Sequence, residues 1–180
     1  MTLNRTYAAV MLLWLPALLG SASAPQPEVK DPLKAVAVYS GKWHSEDESF
    51  DTKFSKPSKE SVDFVNECST QQDFFVCHQE ASKASGTSSS MMVFLWNSKA
   101  HLLETYVMDS SGGDAYHGHL AVDGDTYTWG SAAEKESGTR WRTLNLFSGR
   151  DRIVYRVQFS TDEGKTWTTT REGKETRFSQ

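Results

Sequence analysis

The chain has 180 residues and only two cysteines, Cys68 and Cys77. Their spacing is not C-x-x-C and no second pair exists, which argues against a structural zinc site or a catalytic thiol pair. After the first two dozen residues no apolar run is long enough to cross a bilayer, so no stable membrane span is expected. Nineteen basic residues stand against twenty-three acidic ones, for a net charge of −4, and the basic ones are scattered. Nucleic acid is therefore excluded as the main partner. There is no G-x-S-x-G elbow, no phosphate loop and no H-E-x-x-H, so no catalytic residue and no cofactor is expected.

What is present begins with an export signal: Arg5, then an apolar stretch from Tyr7 to Leu19, then small residues ending Ala22-Ser23-Ala24. Residues 1–24 read as a signal peptide, with cleavage after Ala24 or after Ala22. The remainder, 25–180, suits one domain of about 155 residues with one core, in a periplasmic or secreted product. In "VDFVNECSTQQDFFVCHQE" two apolar runs flank a polar turn near Gln72 and Asp73. Folding about that turn sets Cys68 opposite Cys77, a geometry that favours a cross-strand disulfide in an exported protein.

"DPLKAVAVYSGKW" offers Asp31 as N-cap, Pro32 at the first helical position and Gly41 as a stop, which predicts one short helix. From Lys42 the period becomes alternating. Ten short strands are expected, at 42–49, 60–68, 73–81, 91–97, 101–108, 114–122, 125–131, 139–148, 152–160 and 166–171. "SKASGTSSS", residues 82–90, reads as a flexible loop. Tight connections throughout point to an all-β, antiparallel up-and-down barrel of eight to ten strands, with a sandwich as the alternative.

Hairpin turns sort the faces, because each fixes which parity on one strand meets which on the next. A turn at Asp123-Gly124 aligns Tyr116, Leu120 and Val122 with Tyr127 and Trp129, and leaves His117, His119 and Ala121 with Thr126, Thr128 and Gly130. A two-residue turn at Gly149-Arg150 sets Leu144 and Leu146 against Ile153, Tyr155, Val157 and Phe159. These rows are the expected barrel interior. Arg140 and Arg142 share the parity of Leu144, so they either face inward as anchors for an anionic group or project as wet strand ends.

"STDEGKTW", residues 160–167, matches the aspartate box S-x-D-x-G-x-T-W found in sialidases and other β-propellers. As a turn it has a physical reading: Asp162 accepts backbone N–H bonds, Gly164 takes positive φ, and Trp167 packs across the hairpin onto Phe159. The box occurs once, and six blades of about 40–45 residues need far more chain, so no propeller is expected. In "HGH", His117 and His119 point to one side of a strand and could begin a metal site with Glu104 or His101, or be a solvated face. In "SEDES", Glu46, Asp47 and Glu48 read as a solvated strand end. The tryptophans Trp43, Trp96, Trp129, Trp141 and Trp167 either line a cavity or fill a core.

"SGKWHSE", with Gly41-x-Trp43 opening the first strand, resembles the G-x-W signature of the lipocalin-like (calycin) barrels. That resemblance implies a Trp plugging one barrel end, with Arg171 or Arg177 from the last strand packed over it. Across nearly all of 25–180 the chain is similar to exported bacterial proteins of unknown function with such a barrel: the G-x-W start, the two-cysteine hairpin, "FLWNSKAHLLETYVMDSSG", "DGDTYTW" and the closing "STDEGKTW". The related haem-binding barrels carry a late histidine, and none follows His119 here. The leading expectation is a module, rather than an enzyme, that binds a small apolar or amphipathic molecule through Trp43, Tyr116, Trp129, Arg140, Arg142 and Tyr155. The alternatives are a metal-dependent enzyme on His117 and His119, or a packed barrel whose outer face meets an unknown protein partner.

Overall fold

The computed structural model describes residues 32–84, 86–110, 112, 115–131 and 138–178; the export segment and Asp31 lie outside them. Ten antiparallel strands follow in chain order: β1 Gly41–Ser49, β2 Ser58–Gln71, β3 Phe74–Lys83, β4 Gly86–Asn97, β5 Leu102–Asp109, β6 Tyr116–Asp123, β7 Thr126–Ser131, β8 Arg140–Phe147, β9 Arg152–Ser160 and β10 Thr168–Arg177. Each pairs with its chain neighbours and β1 pairs with β10, so the sheet closes on itself and leaves no edge.

A four-residue helix, α1 Pro32–Ala35, continues as one 3-10 turn, Val36–Tyr39, and plugs the end of the barrel where β1 begins. The plug is held from inside: Tyr127 Oη donates to Ala35 O at 3.1 Å, and Trp43 Nε1 donates to Tyr39 O at 3.0 Å. Around it Val36, Trp43, Phe64, Phe75, Phe94, Leu103, Leu120, Phe147 and Ile153 form the apolar core. Cys68 and Cys77 stand opposite each other on β2 and β3 and are disulfide-bonded.

Most of the expected loop at 82–90 is strand: Ser82 and Lys83 end β3 and residues 86–90 open β4. Lys83 pairs with Gly86, and Ser88 and Ser90 continue the ladder against Ala81 and Gln79. Serine-rich sequence lacks strand propensity, but the neighbouring strands satisfy its backbone, and context overrides preference.

The β6–β7 turn sits at Gly124 and Asp125, one residue later than expected, since Asp123 pairs with Thr126. That moves the register by two and leaves the faces unchanged: Leu120 and Tyr127 are buried. The β8–β9 connection is different. Phe147 pairs with Ile153 and Ser148 N donates to Arg152 O, so three residues, Gly149, Arg150 and Asp151, make the loop. The extra residue flips β8. Its inward row is Trp141, Thr143, Asn145 and Phe147, while Leu146 is 54 % exposed and shares the outer face with Leu144, Arg142 and Arg140.

The aspartate box forms the β9–β10 turn. Asp162 Oδ1 accepts from Ser160 Oγ and Thr166 N, both at 2.8 Å, and Oδ2 accepts from Thr166 Oγ1 at 2.7 Å. These donors, the Thr166 backbone first, lower the Asp162 pKa to about 2. Trp167 does not reach Phe159: its ring lies 4.0 Å from the Arg142 guanidinium on the outer wall, whereas Phe159 packs inside against Trp141. Asp162→Ala should speed amide exchange at Gly164 and Thr166 while protection in β4 and β5 is unchanged. Equal acceleration throughout the barrel would show that the box anchors the whole fold rather than its own turn.

Candidate functional site

The inward residues of β6 to β9 diverge at the end opposite the plug. There Tyr116, Trp129, Trp141, Thr143 and Val157, with Arg142, line a cavity of about 220 Å³. Tyr116 folds back over Gly118 and donates from Oη to Gly130 O at 2.8 Å, which fixes its ring at the rim. Phe54, from the β1–β2 connection, crosses the same mouth and packs on Phe159 and Trp141 with ring centroids 4.7 and 5.0 Å away.

Beneath this apolar collar the interior turns polar. Tyr39 Oη accepts from Trp129 Nε1 and from Asn145 Nδ2, each at 2.9 Å, so the plug and the cavity wall share one network. Burial holds the Tyr39 phenol well above the ordinary tyrosine value. On the next strands Tyr155 Oη donates to Asp47 Oδ2 at 3.0 Å and meets Ser45 Oγ at 3.3 Å. Asp47 reaches β9 by crossing Gly173 of β10. A Cβ there would lie 2.7 Å from Asp47 Cβ and 2.8 Å from Tyr155 Cζ, so only glycine lets the two side chains meet.

Asp47 Oδ1 is fully buried and takes no hydrogen bond among the described residues; Arg171 Nε stands 3.7 Å away as an ion pair. Glu175 lies on the inward row of β10 beside Ser45. Burial first, then the Asp47 carboxylate, pushes its carboxyl up to about 7. Two carboxylates thus face the interior with one partly engaged guanidinium.

The chain matches no family model and no curated protein. Among solved structures it resembles an S-type phycobiliprotein lyase, CPES, from Guillardia theta, at 12 % identity and TM-score 0.54 over 84 % of this chain and 95 % of that one. It also resembles Rv2717c from M. tuberculosis, at 15 % identity and TM-score 0.53 over 84 % of this chain and all of that one. The likeness is one of fold: a closed antiparallel barrel of the calycin kind.

The structure brings Tyr116 and Trp129 together at the cavity and places Tyr155 in the polar layer below. Trp43 is elsewhere, fully buried in the plugged end beneath the Arg177 guanidinium, 4.1 Å from its ring. Arg140 and Arg142 are corrected to the outer face by the three-residue loop. Arg142 borders the cavity, but its guanidinium is occupied by Trp167 and by Gln158 Oε1, which accepts from Nε at 2.9 Å.

His117 and His119 share an outer face with Glu104, as their pairing requires. His117 stacks on Tyr106 at 4.4 Å and lies 3.6 Å from Glu104, while His101 sits apart against Trp96. Among the described residues no group of three His, Cys, Asp or Glu side chains is arranged to hold a metal ion.

"SEDES" divides by parity: Glu46 and Glu48 ion-pair outside with Lys174 and Lys59, and Asp47 points inward. Asp47, Glu175 and Thr143 are the site residues the sequence reading missed; Trp141 stood only among the tryptophans that line a cavity or fill a core. For Asp47 the signal was present, since it lies on the Trp43 side of β1 at an even spacing.

Proposed function

We propose that the protein is an exported barrel that binds a small apolar or amphipathic molecule between the aromatic collar and the plug. The observation that carries this is the cavity itself: the rings of Tyr116, Trp129 and Trp141 line it, and Trp129 joins it to the polar layer through its Nε1 bond to Tyr39 Oη. Its volume, about 220 Å³, lies below the roughly 300 Å³ of drug-sized pockets but above the roughly 150 Å³ that suffices for benzene. The ligand is therefore a single ring or short chain, or a larger molecule that protrudes past Phe54. The N-terminal signal and the Cys68–Cys77 disulfide support an oxidising compartment outside the cytoplasm. Because a lyase has the same fold in one of the resembling structures, chemistry on the bound molecule is the alternative reading.

Toluene tests the chamber without charge. Added to isotope-labelled protein, it should shift the indole N–H resonances of Trp129 and Trp141 saturably, and Thr143→Phe, which fills the cavity from β8, should abolish the shifts. Unchanged indole resonances in a folded wild-type protein would mean that the interior is closed to ligands.

A further inference from the structure

The interior is apolar at the mouth and anionic at depth, and the anionic part is only partly paired: Asp47 Oδ2 accepts from Tyr155 and Arg171 stands beside Oδ1. Asp47 is 95 % buried by its side chain, only 5 % exposed, yet Oδ1 makes no hydrogen bond among the described residues. Glu175 points into the same space from β10, is not fully covered, and among the described residues has neither hydrogen bond nor ion pair. Groups of this kind are rare in native interiors, because an unpaired buried carboxylate loses its hydration for nothing in return.

The cations nearby do not answer both. Arg171 faces Asp47 at 3.7 Å while its Nε donates to Ser49 Oγ. Arg177 is spent on the carbonyls of the plug and on Asp151. The remaining titratable groups facing the pair are the phenols of Tyr39 and Tyr155, both kept protonated by burial, and Glu60, an exposed carboxylate opposite Asp47 on β2 that adds to the negative charge. The chamber is therefore left with an excess of negative charge behind an aromatic collar.

We propose that Asp47 and Glu175 form the seat for a protonated amine carried on a small apolar body. The ring would lie among Trp129, Trp141 and Tyr116, with the ammonium directed past Tyr155 to the two carboxylates. An ammonium donates up to three hydrogen bonds and carries the charge that the pair lacks. A carboxylate ligand of the same shape would meet two like charges and be rejected. This rests on the small-molecule reading above.

The experiment compares 2-phenylethylammonium, neutral 2-phenylethanol and anionic phenylacetate by NMR titration at pH 8 and low salt. The ammonium should bind at least ten-fold more tightly than either of the others. Glu175→Gln and Asp47→Asn should each cut that preference several-fold while the affinity for 2-phenylethanol is retained. In the wild type the preference should grow from pH 5 to pH 8 as Glu175 ionises, a readout that needs no variant to fold. Equal affinities for the three probes, or a preference that survives Glu175→Gln, would overturn the amine seat and leave the chamber standing. If toluene and all three probes fail to bind, the chamber and the seat fall together.

Discussion

Glu175→Gln should make the protein more stable at pH 8 and leave it little changed at pH 4.5. The carboxyl is raised from an ordinary 4.5 to about 7 by burial and by Asp47. A raised folded-state value means that the folded protein holds the proton more tightly than the unfolded chain. The contribution is therefore fully present below about pH 4.5, is lost as pH rises towards 7, and stays lost above it. At about 1.4 kcal/mol for each pH unit, the loss is on the order of 3 kcal/mol, or roughly 6–12 °C in Tm for a chain of this size.

Glutamine carries no charge at any of these pH values, so its Tm should stay flat where the wild-type Tm falls. Thermal melts of both proteins from pH 4.5 to 8.5 make the comparison. Parallel curves would show that Glu175 is not desolvated in the folded state. Asp162 has the opposite sign and another window: lowered from 3.8 to about 2, it stabilises above its ordinary value and is lost only in strong acid. The two therefore do not overlap.

A destabilising buried charge in a barrel otherwise closed and well packed is the kind of departure that function retains. Its cost in stability at neutral pH and its proposed use in binding are one property, since the desolvation that raises the carboxyl is what makes a cationic partner favourable.

How much of this could be read from residues alone follows from the rules of strands. Alternation and turn residues gave the number and order of the strands, but β4 starts at Gly86 rather than 91 and β10 runs to Arg177 rather than 171; the paired cysteines followed from a symmetric hairpin. Faces depended on loop length. At β6–β7 the turn was misplaced by one residue, which moves the pairing by two and preserves parity, so Leu120 and Tyr127 were rightly placed inward. At β8–β9 the loop has three residues instead of two, which moves the pairing by one and inverts the whole strand. Arg140 and Arg142 were carried outward and Trp141 and Thr143 inward by that single residue.

Glu175 was missed because the last strand was expected to end at 171 while β10 runs to Arg177, and Asp47 was missed for another reason. Charged residues in an alternating segment such as "SEDES" are normally all solvated, and only the parity of Trp43 separates the inward member.

Trp43→Ala should be the most damaging single substitution in the barrel. The side chain is wholly buried opposite Phe64, and its Nε1 donates to Tyr39 O at 3.0 Å. Removing a buried Trp costs about 3–5 kcal/mol, against a total stability of about 5–15 kcal/mol. Its cover is polar: Arg177 Nη1 donates to Ser40 O, Nη2 to Val38 O at 2.7 Å and to Arg150 O at 2.9 Å, and Nε to Asp151 Oδ1 at 3.0 Å. One guanidinium thus ties the 3-10 turn and the β8–β9 loop to the end of β10, lying so close over Gly41 that any Cβ there would strike it.

Arg177→Met keeps a stem on the indole but leaves those carbonyls without their donor, and should cost about 2–3 kcal/mol. Because ring and guanidinium form one contact, the double variant should lose less than the sum of the two. Urea denaturation of the four proteins measures each term; strict additivity would mean that the arginine and the tryptophan act separately. The chamber depends on the outcome, since Tyr39 Oη holds the cavity-lining Trp129 and Tyr39 is itself held through Trp43. A loosened plug should therefore weaken toluene binding in Trp43→Ala even at temperatures where the barrel remains folded.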